Sequence, residues 1–103
     1  MPFSDDLRSF ATAHDLAVYG ATWCPDCRRL DALFEKEKVR HRAIDIEIDE
    51  AAAEKLVKET GKTAIPFILV DGKAWVRGYQ KELIQRLDGA LLVRELHEAA
   101  AKV

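Results

Sequence analysis

Both cysteines of the chain lie in one ten-residue stretch, Gly20–Arg29, with the sequence G-A-T-W-C-P-D-C-R-R. Cys24 and Cys27 form a C-x-x-C pair, a spacing at which two sulfurs can meet without moving the backbone. A cysteine thiolate attacks a disulfide to give a mixed disulfide, which a second thiolate can resolve. The spacing therefore predicts a redox dithiol.

The flanking sequence predicts different roles for the two sulfurs. The apolar run Leu16–Tyr19 is typical of a buried strand, and Pro25 is favoured at the first position of a helix. Cys24 is thus expected at the N-cap, where unpaired backbone N–H groups and the helix dipole stabilise a thiolate. Cys27 is the first residue of the apolar stripe of this helix, so its sulfur is expected to be shielded from solvent. Cys24 is predicted to be the accessible nucleophile and Cys27 the resolving thiol.

Other uses of a cysteine pair fit the sequence less well. A crosslink that closes so small a loop removes little chain entropy. Structural zinc takes four ligands, whereas the chain has no second C-x-x-C and only three scattered histidines. No metal site is predicted, although a non-enzymatic redox switch or half of a bridging iron–sulfur site stays open as an alternative.

The composition is that of an ordinary single domain spanning residues 1–103, with 49% hydrophobic and 33% charged residues. The formal net charge of −2 provides no basic field for nucleic acid or for an anionic membrane, so neither is an expected partner. The N-terminal sequence M-P-F-S-D-D-L has neither a basic nor an apolar signal region, and no apolar stretch approaches 18 residues. We expect a cytoplasmic monomer whose dithiol stays reduced.

Hydrophobic periodicity predicts alternating strands and helices. Helices are predicted from Ser4, as N-cap, to Ala13, from Pro25 to about Glu37, over Glu50–Thr60 with a cap at Gly61, over Tyr79–Leu87, and from Ala90 to about Lys102. Strands are predicted over Leu16–Tyr19, within Val39–Asp49 as a half-buried edge strand, over Phe67–Val70, and over Lys73–Val76 after an Asp71-Gly72 hairpin turn. These elements predict an α/β fold with helices covering a mixed sheet.

Three features together resemble the glutaredoxin branch of the thioredoxin-like superfamily: C-P-D-C at a strand–helix junction, Ile65-Pro66 before a later strand, and Gly78-Tyr79 after a hairpin. The resemblance covers roughly residues 16–87. It implies a thioredoxin-like fold with a four-stranded mixed sheet in β-α-β-α-β-β-α order, here with extra N- and C-terminal helices, and thiol–disulfide oxidoreductase activity. T-W-C followed by C-x-R-L is similar to mycoredoxin-type glutaredoxins, and Trp75–Leu87 to the glutaredoxin-like electron donors of ribonucleotide reductase.

The resemblance also implies a substrate-docking face beside the dithiol. A cis Pro66 is expected to face the sulfurs and to leave the backbone of Ile65 free to pair with an extended thiol peptide. Trp23 and Pro25 flank Cys24 and are expected in the same face. Pro25 also counts against the iron–sulfur alternative, because cluster-binding glutaredoxins usually have Gly or Ser there.

Glutathione binding is the second implication, and the sequence departs from the family at two of its positions. The family holds the α-carboxylate of the γ-glutamyl group with backbone N–H groups that match Gly78, Tyr79 and Gln80. Ala21 stands where a Lys is usual, and Ala64 where a Thr is usual. Lys62 matches a basic position and is a candidate to compensate.

Asp26 replaces the Tyr of the common C-P-Y-C and is expected to modulate the dithiol. An acid in the first turn favours the helix, but its charge opposes ionisation of Cys24. We therefore expect a less stabilised thiolate and a more reducing dithiol than in C-P-Y-C proteins. Arg28 and Arg29 are close enough in sequence to offset part of this effect.

The partners implied are disulfide-containing proteins as substrates and a reductant that recharges the dithiol. No cofactor is expected to be bound, and glutathione or another low-molecular-weight thiol is the expected co-substrate. Ala21 favours instead a thioredoxin-like electron carrier recharged by an NADPH-linked flavin reductase, whereas Gly78-Tyr79 favours the small thiol.

Overall fold

The computed structural model describes residues 2–102, with Pro2 as backbone only. Its elements are α1 (Pro2–Ala13), β1 (Leu16–Gly20), α2 (Pro25–Lys36), β2 (Arg42–Asp45), α3 (Glu50–Thr60), β3 (Phe67–Val70), β4 (Ala74–Arg77) and α4 (Gly89–Ala101). The strand order is β2-β1-β3-β4. β1 pairs parallel with β2 and antiparallel with β3, which pairs antiparallel with β4. The predicted four-stranded mixed sheet and the edge position of β2 are confirmed.

The two central strands are apolar throughout because both faces of the sheet are covered. On one face, Leu16 and Val18 of β1 pack in a cluster with side chains of α1, α2 and α4. On the other, Ala17 and Tyr19 pack in a cluster with Leu56 of α3. Alternate residues of β1 are thus buried against helices on opposite faces of the sheet. This packing holds β1, which leads into the start of α2.

The predicted strand within Val39–Asp49 is too long. β2 leaves the sheet at Asp45, whose carbonyl accepts hydrogen bonds from the N–H groups of Ile48 and Asp49. Asp49 then caps α3 by accepting a hydrogen bond from the N–H of Ala52. The alternation of isoleucines continues into this turn, so Ile48 is 82% exposed instead of half-buried.

The predicted helix Tyr79–Leu87 is wrong. Residues 78–88, which we call the turn segment, contain isolated turns, and Arg86 adopts a left-handed conformation with φ 67°. The N–H of Gln80 donates to the carbonyl of Arg86 (2.7 Å). In an α-helix an N–H donates to a carbonyl earlier in the chain, so this bond closes a loop and not a helical turn. Ile84, placed by helical spacing on a buried face, is fully exposed. One helix instead of two therefore follows β4.

The remaining elements agree with the sequence to within a few residues. Gly61 ends α3 in the left-handed conformation, and Asp71 and Gly72 form the hairpin turn with positive φ. Ser4 is a buried residue inside α1 and not its N-cap. Within residues 2–102, no helix has both the length and the apolar character needed to cross a bilayer.

Candidate dithiol site

Cys24 occupies the N-cap of α2, as predicted, with the extended conformation φ −81°, ψ 119°. Its Sγ accepts a hydrogen bond from the backbone N–H of Cys27 at 3.2 Å. The sulfur also lies 3.9 Å from the carbonyl oxygen of Ile65. A donor aimed at the sulfur and the positive end of the helix dipole both stabilise a thiolate at this position.

Cys27 is buried, as predicted, and its environment opposes ionisation. Burial, followed by its interaction with the Cys24 side chain, raises the pKa of the Cys27 thiol to about 12. Gly20 makes room for this sulfur, because a Cβ at Gly20 would lie 2.9 Å from Cys27 Sγ. The sulfur borders a cavity of about 130 Å³ between α2 and the β1–β2 pair, with Asp31 in its wall.

The expected accessibility of Cys24 is wrong in this conformation. Cys24 is 5% exposed and Cys27 is 3% exposed, so the two thiols differ in environment far more than in exposure. The cause is packing, because Ala21 and both cysteines form one apolar cluster against which Ile65 lies. A disulfide substrate must displace some of this cover to reach Cys24.

Ile65 and Pro66 lie against the dithiol, and the peptide bond between them is cis, as the resemblance implies. β3 begins at Phe67, so Ile65 is outside the strand ladder and its backbone faces Cys24. The carbonyl of Pro66 accepts a hydrogen bond from the N–H of Gly78 at 2.9 Å. A Cβ at Gly78 would lie 2.7 Å from Leu30 Cδ2 and 3.0 Å from Pro66 Cγ, so Gly78 permits this close approach.

Asp26 is held by two arginines, Arg29, which is close in sequence, and Arg86, which the sequence does not predict. Arg86 donates from Nε to Asp26 Oδ1 (3.2 Å) and from Nη2 to Oδ2 (2.7 Å). Arg29 donates to Oδ1 at 2.8 Å, whereas Arg28 donates instead to the carbonyl of Thr22. The hydrogen bond from Arg86 is the largest factor that lowers the pKa of Asp26. The carboxylate is therefore ionised, but its charge is compensated.

Two of the three N–H groups for which the resemblance implies anion binding, those of Gly78 and Gln80, are hydrogen-bonded within the chain. The N–H of Gly78 donates to Pro66, and that of Gln80 donates to Arg86. The buried Gln80 side chain donates to Glu95 and accepts from the N–H of Asp88. Gln80 thus ties the turn segment to α4.

The other predicted docking residues occupy separate places. Trp23 is 59% exposed beside Cys24, and its Nε1 donates to Glu47. Pro25 begins α2, as predicted. Lys62 borders a groove of about 480 Å³ along β4, and neither cysteine lines this groove. The structure therefore brings Trp23, Pro25, Ile65 and Pro66 to the dithiol, but not Lys62 to the same pocket.

Comparisons with known proteins agree with this geometry. The glutaredoxin family profile matches residues 16–75. Glutaredoxin-C8 of rice (Oryza sativa subsp. japonica) is 27% identical over 75 residues, which are 68% of this chain and 55% of the rice protein, so the match spans about half of that relative. Glutaredoxin 3 of Escherichia coli K12 is 29% identical over 59 residues, which are 57% of this chain and 71% of that protein.

A solved structure extends the agreement to the fold. The thioredoxin-like protein BC3987 superposes with a TM-score of 0.56 at 27% identity, over 69% of this chain and 96% of that protein. The family profile covers more than half of the chain, and its range includes the dithiol and the cis Ile65-Pro66 bond. This chain therefore belongs to the glutaredoxin family and has its thioredoxin-like fold.

Proposed function

We propose that this protein reduces disulfides of proteins, or mixed disulfides of low-molecular-weight thiols, through Cys24 and Cys27. The observation that carries the proposal is the position of Cys24 at the N-cap of α2, with its sulfur accepting the N–H of Cys27 and facing the Ile65 carbonyl. The N-cap position and the N–H donor favour a thiolate on Cys24, and the Ile65 carbonyl marks the backbone against which a substrate would dock. The reducing cytoplasm is the compartment that we propose for it.

In the first step, the Cys24 thiolate attacks one sulfur of the substrate disulfide, and the other sulfur leaves as a thiolate. Cys24 is then in a mixed disulfide. In the second step, Cys27 loses its proton and attacks Cys24, which releases the reduced substrate and leaves a Cys24–Cys27 disulfide. Two equivalents of glutathione or another small thiol then reduce this disulfide and are themselves oxidised.

The second step requires an exit for the Cys27 proton, because burial keeps that thiol protonated. The cavity beside Cys27 has a volume of about 130 Å³. Since one water occupies roughly 30 Å³ of liquid, this cavity has room for a few water molecules. Water there is the acceptor that we propose for the proton.

A second candidate function is that of a protein electron carrier recharged by an NADPH-linked flavin reductase. The site favours it at two points. Ala21 supplies no cation for a glutathione carboxylate, and the N–H groups of Gly78 and Gln80 are already hydrogen-bonded within the chain. In this candidate the chemistry at Cys24 and Cys27 is unchanged, and only the reductant differs.

Turnover with two recycling systems separates the candidates. The protein is supplied with an excess of a disulfide substrate, NADPH and either glutathione plus glutathione reductase or thioredoxin reductase, and NADPH consumption is followed at neutral pH. We expect the glutathione system to be the faster. If only thioredoxin reductase sustains turnover, the electron-carrier function replaces the proposed one.

Two cysteine variants test the roles of the sulfurs. Cys24→Ser should abolish exchange in both systems, because it removes the nucleophile. Cys27→Ser should still form a mixed disulfide with substrate, detectable by mass, but should not resolve it internally. A Cys24→Ser protein that retains turnover would overturn the proposed function.

A further inference from the structure

The pair formed by Asp26 and Arg86 joins the dithiol motif to a segment 60 residues away in sequence. The guanidinium meets the carboxylate through two nitrogens, at 3.2 and 2.7 Å. The Asp26 side chain is only 16% exposed. A two-point arginine–carboxylate contact fixes orientation as well as charge, and water screens this pair less than a fully exposed one.

Arg86 is itself held in place by contacts that do not involve Asp26. Its φ of 67° is a conformation that a residue with a side chain rarely adopts. Its carbonyl accepts the N–H of Gln80, and its guanidinium lies 5.3 Å from the centre of the Tyr79 ring. The turn segment therefore presents this guanidinium to the first turn of α2.

An uncompensated carboxylate between the two cysteines would oppose a negative charge on Cys24. Two cations face Asp26, Arg29 from α2 itself and Arg86 from the turn segment. Arg28, the remaining charge of the motif, donates to the Thr22 carbonyl instead. Arg29 makes one contact and its side chain is the more exposed of the two cations, so Arg86 provides the larger compensation.

We propose that Arg86 is a positioning residue of the dithiol: by holding Asp26 in a two-point ion pair, it prevents that carboxylate from destabilising the Cys24 thiolate. The effect on turnover rests on the proposed function. The effect on Cys24 ionisation does not, because it is measured on the protein without any disulfide substrate.

The test measures Cys24 ionisation in a Cys27→Ser background, where one thiol remains. The pH dependence of alkylation by iodoacetamide gives its pKa directly. Arg86→Ala should raise this pKa by about half a unit or more, equivalent to roughly a threefold loss of thiolate below the pKa. Arg77→Ala is the matched control, because Arg77 also stacks on the Tyr79 ring, at 5.6 Å from its centre, but has no ion pair with Asp26 in the structure.

A double-mutant cycle distinguishes this role from a general structural one. Once Asp26→Asn has removed the carboxylate, Arg86→Ala should leave the Cys24 pKa nearly unchanged. An equal shift with and without Asp26→Asn, or no shift in either background, would overturn the proposal. If Arg86→Ala loses its fold by circular dichroism, Arg86→Lys replaces it, since Lys keeps the charge but lacks the two-point fork and should give a smaller shift of the same sign.

The outcome also separates this inference from the proposed function. A Cys24 pKa that responds to Arg86 through Asp26, in a protein that turns over no disulfide, would uphold the positioning role and reject the reductase. If the protein turns over disulfides but its Cys24 pKa is the same with and without Arg86, the reductase function is upheld and the positioning role is rejected.

Discussion

The dithiol segment (residues 20–29) and the turn segment (residues 78–88) meet in one site, but their contacts differ in how far apart in sequence the partners lie. In the dithiol segment, the main contacts join residues three apart, Cys24 to Cys27 and Asp26 to Arg29. In the turn segment, they reach distant elements, including Pro66 from Gly78 and α4 from Gln80. The nucleophile is therefore specified locally, whereas its electrostatic surroundings depend on tertiary packing.

Among the variants that test this contrast, Gly78→Ala is expected to change the free energy of unfolding the most. Gly78→Ala places a methyl group against the buried Leu30 and the rigid Pro66 ring, and it should lower the free energy of unfolding by about 1–3 kcal/mol, the usual cost of overpacking. Urea unfolding measures it. Gly20→Ala is the counterpart in the dithiol segment, where only the Cys27 side chain is met, so we expect a smaller loss of stability there but slower resolution of the mixed disulfide. Equal losses of stability would contradict the contrast.

Gln80→Leu tests how the turn segment is attached to α4. It removes the hydrogen bonds to Glu95 and from Asp88 and leaves the partly buried N–H of Asp88 without this partner. We expect a loss of about 1–2 kcal/mol in the free energy of unfolding. Gln85→Leu is the matched control, because Gln85 is an exposed residue of the same segment. A similar result for both variants would show that the Gln80 contacts contribute nothing specific.

The smallest effect concerns the pH dependence of stability through Asp26. Arg86 lowers the pKa of Asp26 below its usual 3.8, so the ionised carboxylate stabilises the folded state above that value, and this contribution is lost as the pH falls through the lower folded pKa. Asp26→Asn should therefore cost up to about 1 kcal/mol at pH 7, since Arg86 is partly exposed, and progressively less below pH ~4. Urea unfolding of both proteins across this range measures the difference. A difference that persists unchanged at the lowest pH would assign it to helix packing instead.

The sequence predicted what periodicity and local chemistry control. The N-cap position of Cys24, the helix stripe of Cys27, the hairpin at Asp71 and the cap at Gly61 follow from neighbouring residues, and all are present. The strand predicted within Val39–Asp49 is shorter in the structure, because an isoleucine alternation does not reveal that Asp45 turns the chain out of the sheet.

Arg86 was missed for a related reason. A Leu83, Ile84, Leu87 pattern at helical spacing indicates a helix, and on such a helix the arginine would be an ordinary solvated residue. The loop closed between Gln80 and Arg86, together with the buried Gln80 amide, overrides this local pattern. No local signal in either segment predicts that Asp26 and Arg86 pair across 60 residues. The unusual Asp in C-P-D-C was the available hint that a cation had to be sought elsewhere in the chain.

Trp23 gives the dithiol an optical reporter of its own. The chain has two tryptophans, and Trp75 packs edge-on against Tyr19 and donates to Glu59, away from the cysteines. Trp23 is adjacent to Cys24 in sequence and mostly exposed. With Trp75→Phe, the remaining indole fluorescence would come from the docking face alone. Oxidation of the pair and the arrival of a substrate could then be followed in real time without a label.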